Sequence, residues 1–209
     1  MFTSDSFDVF TIEGLDNRMV AIREQIQPVF QELDTYFVEC LSSEIGETLP
    51  IHIAQHRRRT ANAPDFTWSA MGGDKRGYKK YPHFQLGITG DYVVMWLSFI
   101  DNPEFEKEMA RSFLAHPELF EGLPKDMMIN HDHTVNTYEA LTETSLVKVL
   151  ERFEKVKKGE FQIGRIVTKE EITHLSGTEA KEYMRDTYLA LLPIYQHSMA
   201  IRQNALSEK

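Results

Sequence analysis

The chain has one cysteine, Cys40, in 209 residues, which excludes an internal disulfide. It has no apolar run near the roughly 18 residues that a membrane span requires; the longest such stretch lies around Tyr92–Ile100. The opening MFTSDSFDVF lacks a basic stretch followed by an apolar one, so no secretory signal is read there. There is no G-x-S-x-G elbow for a nucleophilic serine. Walker and dinucleotide fingerprints are missing too, because Gly73 and Gly77 are not followed by a helix-opening Lys-Ser or Lys-Thr pair. No repeat, linker or low-complexity tract divides the chain. These absences set the expectation of a cytoplasmic protein with one domain over 1–209, no membrane contact and no cofactor. They leave open whether it is an enzyme, and its oligomeric state.

Apolar residues make up 42% and charged residues 26%, the balance of a globular chain able to bury a core. Met19, Ile22, Ile26, Val29, Leu33, Phe37 and Cys40 step by three or four, which predicts a helix over 16–45 with Cys40 in its apolar stripe. Pro28 should kink that helix and Gly46 end it. Strands are expected over 51–56, 67–71, 83–88, 92–100, 127–131 and 161–167. Val93 to Leu97 are apolar without alternation, so that strand should be covered on both faces. Asn102-Pro103-Glu104 reads as a helix start, and the helix should stop before Pro117. Another helix is expected over 143–156, a capping box at Thr168 and Glu171, and a last helix over 179–202 bent at Pro193. The order predicts an α+β fold: a mainly antiparallel sheet of about six strands, with long N- and C-terminal helices packed on it.

Charge is uneven. The net charge is −9, yet between His56 and His83 seven basic residues face two acids, locally +5 against −14 elsewhere. The net charge argues against a general nucleic-acid binder, because the summed field repels phosphate. The local excess is another matter. Arginine forks and lysine point charges fit phosphate or carboxylate, and the aromatics interleaved with them can stack on a planar group. The candidate ligand-binding residues are Arg58, Arg59, Trp68, Lys75, Arg76, Tyr78, Lys79 and His83. A tight return about the strand near Thr67–Met71 would bring at least three of the five cations onto one concave patch. The alternative is structural: cations guarding a sheet edge, or paired with surface carboxylates.

His56-x-Arg58-Arg59-Thr60-x-Asn62-x-Pro64-x-x-Thr67-Trp68, followed by Lys75-Arg76-Gly77-Tyr78-Lys79-x-x-Pro82-His83-Phe84-Gln85-x-Gly87, resembles the YktB-like family of uncharacterised bacterial proteins. Ile12-Glu13-Gly14-Leu15-Asp16 and Lys157-Lys158-Gly159-Glu160-Phe161 extend the resemblance over nearly the whole chain. It implies a compact α+β domain of about this length and assigns no catalytic residue. Asp74 stands where the resemblance leads one to expect asparagine.

His131-Asp132-His133 has a metal-like spacing, since alternate strand residues share a face. A zinc site still needs a third ligand, so no metal is expected and Asp132 and His133 are read as hydrogen-bonded neighbours. Three functional readings follow. The first is a binding protein for an anionic ligand: a nucleotide, a phosphorylated metabolite or single-stranded nucleic acid. The second is an enzyme on a phosphorylated or carboxylated substrate, with His83 or His133 as acid–base and Tyr78 assisting. The third is a protein–protein interaction scaffold. If the strand over 92–100 is central, Trp96→Ala should cost about 3–5 kcal/mol in denaturant unfolding. A loss below about 1 kcal/mol would place the strand at the periphery.

Overall fold

The computed structural model describes residues 1–135 and 138–208. The chain opens with α1 (Ser4–Asp8), α2 (Leu15–Ala21) and α3 (Gln27–Ile45). Strands β1 (Ile51–Ile53), β2 (Phe66–Met71), β3 (His83–Thr89) and β4 (Tyr92–Phe99) follow. Then come α4 (Glu106–Ala115), β5 (Met128–Asn130), β6 (Tyr138–Ala140), α5 (Glu143–Lys155), β7 (Phe161–Thr168), α6 (Lys169–His174) and α7 (Gly177–Ser207). The seven strands form one sheet in the order β1-β2-β3-β4-β7-β5-β6, and every pairing is antiparallel. This is the expected α+β architecture with one strand more than the sequence suggested. No helix among the described residues is long and apolar enough to cross a membrane.

The irregularities follow from identifiable residues. Pro28 cannot donate to the carbonyl four residues back and its ring crowds it; the helix meets this with a π-turn at Ile22–Ile26, one turn before the proline. Gly46 ends α3 in the left-handed conformation (φ 85°). Thr168 accepts from the Glu171 amide, as its capping pattern predicts. Asn102-Pro103-Glu104 does not open a helix, because α4 begins at Glu106. Its residues are committed elsewhere: the Glu104 amide donates to Lys80 O (3.0 Å), and Arg202 Nη2 donates to the Glu104 carboxylate (2.5 Å). Cys40, expected in the core, is only half-buried.

Strand alternation divides the sheet into two faces. Phe84, Leu86 and Ile88 of β3, Val93, Met95, Leu97 and Phe99 of β4, and Phe161 and Ile163 of β7 pack with the helices in one apolar core. The other face carries His83, Gln85 and Gly87 of β3, Trp96 and Ser98 of β4, and Gln162 of β7. Both faces of β4 are covered, as its composition predicts: Leu97 is 0% and Trp96 4% exposed. Leu97 enters the helical core, whereas Trp96 enters the opposite side.

One ionisable group sits in the helical core. Asp34 of α3 is fully buried, and neither of its carboxylate oxygens nor Ser69 Oγ closes a full hydrogen bond among the described residues. Burial pushes its pKa up to about 7, with the Ser69 hydroxyl pulling weakly the other way. The folded chain therefore keeps this proton to higher pH than the unfolded chain. The Asp34 contribution to stability is lost as pH rises from about 4 to about 7, by up to about 1.4 kcal/mol per unit. His56 and His83, both pushed down to about 4, act in the opposite sense over much of this window. The difference between wild type and Asp34→Asn isolates the carboxyl: urea midpoints should show the variant gaining on wild type as pH rises from 4 to 7. A constant difference would show that Asp34 is ionised in the fold.

Candidate functional site

The sheet face opposite the helices is not solvent-exposed. Loops 54–65 and 72–82 lean over it from opposite ends of β2, and residues 131–135 close it near β5. They enclose a cavity of about 470 Å³.

Gln85, Gln162 and Asn130 line its floor, as members of a polar row on an otherwise buried surface. The strand register sets His83 opposite Ser98, Ser98 opposite Gln162, Gln162 opposite Asn130, and Asn130 opposite Tyr138. Ser98 Oγ donates to Gln85 Oε1 (3.0 Å), and Gln162 Nε2 donates to Ser98 Oγ (2.9 Å) and Gln85 Oε1 (3.2 Å). Asn130 Nδ2 donates to Gln162 Oε1 (3.1 Å). This ladder satisfies groups whose burial would otherwise cost about 1–3 kcal/mol each. The Gln85 Nε2 group is left without a protein partner among the described residues, on a side chain that lines the cavity.

The walls are aromatic: Phe66, Trp68, Tyr92, Trp96 and Tyr138. Phe66 and Trp68 stack with centroids 5.6 Å apart and planes 17° from parallel. Gly87 makes that possible, since a Cβ there would stand 2.4 Å from the Phe66 ring. Trp68 Nε1 donates to Tyr78 Oη (2.8 Å), fixing loop 72–82 over the floor.

Of the residues singled out in the sequence, Arg59, Trp68, Tyr78 and Lys79 line this cavity. Arg58, Lys75 and Arg76 do not. The two basic clusters lie at opposite ends of β2, so two cations reach the cavity where three or more were expected to converge. Lys79 is paired with Asp101, whose carboxyl is held below its ordinary pKa chiefly by that contact. Lys80 pairs with Glu104 at 3.6 Å. His83 is fully buried beneath Tyr78, their centroids 4.7 Å apart. Its Nδ1 is 2.9 Å from Tyr81 O, its Nε2 has no partner, and burial keeps it neutral with a pKa near 4. Asp74 anchors its own loop: Oδ1 accepts from the Arg76 amide (2.7 Å) and Oδ2 from Tyr81 Oη (2.9 Å).

The fourth corner was not read from the sequence as a unit. His133 lines the cavity, and its Nδ1 lies 2.7 Å from Glu160 Oε2. The Glu160 carboxylate also accepts from the His133 amide (2.9 Å) and the Asp101 amide (3.0 Å). Burial pushes the Glu160 carboxyl up, but these hydrogen bonds outweigh it and hold the pKa below the ordinary value. An ionised partner at Nδ1 fixes the tautomer that leaves Nε2 as the basic nitrogen. Asp132, His133 and Glu160 bring potential metal-ligand atoms within 4.8 Å of one another, whereas His131 is outside the group. Some of their atoms are already committed: Asp132 Oδ1 accepts from the Thr134 amide (2.9 Å) and hydroxyl (2.6 Å). A metal at His133 Nδ1 would have to break the histidine–glutamate contact.

The family described as Domain of unknown function (DUF1054) matches residues 2–195. This chain belongs to it. The family's curated members include a UPF0637 protein of Enterococcus faecalis, 56% identical over 96% of this chain and 98% of its own length. One from Exiguobacterium sibiricum is 43% identical over 93% of this chain and 96% of its own. One from Listeria monocytogenes is 38% identical over 95% and 97%. The YktB-like resemblance is thereby shown as family membership. It transfers no activity, so the function must be argued from the cavity.

Sequence reasoning missed the floor and the His133–Glu160 pair. A signal existed for the floor: Gln85, Ser98 and Gln162 are polar residues inside strands that otherwise read as buried. For the pair there was only Glu160 in the Lys157–Phe161 motif. The metal expectation leads to a direct measurement. Purified protein should carry no stoichiometric zinc, and a chelator should leave its melting temperature unchanged; one zinc per chain by elemental analysis overturns this.

Proposed function

We propose that this chain binds a small planar ligand with an anionic group, nucleotide-like in chemistry, in the cavity over the second face of the sheet. The observation that carries this is the uncommitted Gln85 amide on a buried floor between stacked aromatic walls. That donor faces the cavity with no protein partner among the described residues, so a ring nitrogen or carbonyl of a planar ligand can take it up in place of water. Phe66, Trp68 and Trp96 offer faces for stacking, worth about 1–3 kcal/mol per base. Arg59, with no carboxylate partner among the described residues, suits a phosphate or carboxylate, and Lys79 stands beside the cavity paired with Asp101. A volume of about 470 Å³ is that of a small-molecule site. The reading needs fewer cations than the sequence suggested, because a mononucleotide presents only one anionic group.

A second reading, catalysis on such a ligand, is favoured by the His133–Glu160 contact. Among the two histidines considered for acid–base work, His83 is neutral and sealed, so His133 would take the role, with Glu160 positioning it. If so, phosphorus NMR of nucleotides incubated with the protein would show turnover that His133→Gln abolishes while binding persists.

Calorimetry against nucleoside monophosphates and sugar phosphates should find a ligand whose affinity falls as salt rises. Arg59→Ala with Lys79→Ala should abolish that binding with little change in melting temperature, because both residues are at the surface. Gln85→Leu should weaken it about tenfold or more. No binding by any of these compounds at millimolar concentration would sink the cavity reading.

A further inference from the structure

The cavity does not end at Arg59. His56 adopts the left-handed conformation (φ 49°) and closes a turn in which the Arg59 amide donates to His56 O (3.0 Å). That turn displays Arg57, Arg58 and Arg59 at the surface. It is anchored from below: the His56 ring packs edge-to-face on Trp68 at 5.4 Å, and its Nε2 lies 2.9 Å from Thr67 Oγ1. On the other side Arg18 reaches Asp65 Oδ1 (2.6 Å) and Pro64 O (3.2 Å). Arg18 thus takes up the one carboxylate in the 54–65 loop. Arg57, Arg58 and Arg23 have no carboxylate partner among the described residues.

A groove of about 440 Å³ runs between α2 and this turn, lined by Met19, Val20, Arg23, Arg57 and Arg59, with Asp16 the acid among its lining residues. Arg59 lines both the groove and the cavity, so the two are adjoining parts of one surface. Three guanidinium groups against one carboxylate leave the groove at about +2, in a protein whose net charge is −9. Like charges gathered without acidic partners repel, and an anion laid along them relieves the repulsion. Val20, 46% exposed, adds an apolar surface in the same groove.

We propose that the ligand is longer than one nucleotide: an oligonucleotide with one base in the cavity, its phosphate at Arg59, and the adjoining phosphate carried along the groove by Arg57 and Arg23. This rests on the cavity reading and extends it. Guanidinium forks suit successive phosphodiesters, the cavity supplies the stacking platform that single-strand binding uses, and the acidic remainder of the surface confines the strand to this stripe.

The test is calorimetry with AMP, CMP, GMP and UMP, the corresponding 5′-phosphorylated homodinucleotides, and homo-octanucleotides, at several salt concentrations. A dinucleotide should bind at least tenfold tighter than its mononucleotide. Its salt dependence should be steeper by about 0.7 in log–log slope for each added phosphate contact. Arg23→Ala with Arg57→Ala, both at exposed positions, should remove the dinucleotide increment and leave mononucleotide affinity unchanged. Dinucleotides binding no tighter than mononucleotides, or a double variant that keeps the increment, overturn the extended site while the cavity reading stands. Failure of every mononucleotide and dinucleotide overturns both. An octanucleotide binding tighter than the dinucleotide identifies a strand as the source of the phosphates; equal binding identifies a free dinucleotide.

Discussion

Strand β4 lies between β3 and β7 with its length buried on both sides, and the rest of the molecule is arranged by the need to cover its second face. The first face is covered conventionally, by α3, α7 and the apolar core they share with the sheet. The second has no helix among the described residues. Loops 54–65 and 72–82 and the segment 131–135 cover it, and they leave a space between themselves and the sheet. A space bounded by apolar strands alone would close or stay dry. Here the floor is Gln85, Gln162 and Asn130, joined with the buried Ser98 side chain to side chain across four strands. Such a network holds its members in fixed orientation, because any rotation strands a buried polar group.

The same requirement explains the corner at Asp101 and Glu160. Asp101, Asn102 and Lys158 all take left-handed backbone conformations without being glycine (φ 57°, 63° and 62°), each a conformation that costs about 1 kcal/mol or more. The strain is offset by what it positions. The Asp101 amide and the His133 amide both point at the Glu160 carboxylate, while the Asp101 side chain holds Lys79. Lys79, Asp101, Glu160 and His133 thus form one alternating chain of charge and hydrogen bonds from loop 72–82 to the segment after β5. The displaced start of α4 belongs to this arrangement, since Glu104 is drawn to Arg202 and Lys80 instead of entering the helix.

Much of the scaffold was legible because its signals are local. Six of the seven strands, the stop at Gly46, the Thr168–Glu171 cap and the double burial of β4 follow from alternation, steric freedom and side-chain capping within a few residues. β6 escaped notice because Tyr138 to Ala140 carry no apolar run, unlike the equally short β1 and β5, and none of the three is fully buried. Asn102-Pro103-Glu104 misled because its capping preference is outweighed by ion pairs with residues distant in sequence.

The sequence by itself determined the fold class, the family and the concentration of positive charge between residues 56 and 83, since composition, periodicity and motif spacing are properties of the chain. Only the tertiary structure decided which of those cations share a cavity. Six residues of extended strand separate the two loops, so Arg59 and Lys79 line one cavity only because both loops fold back over the same face. Register decided the floor in the same way: Gln162 lies far along the chain from Gln85 and Ser98, and the three come together only when three antiparallel strands set them side by side.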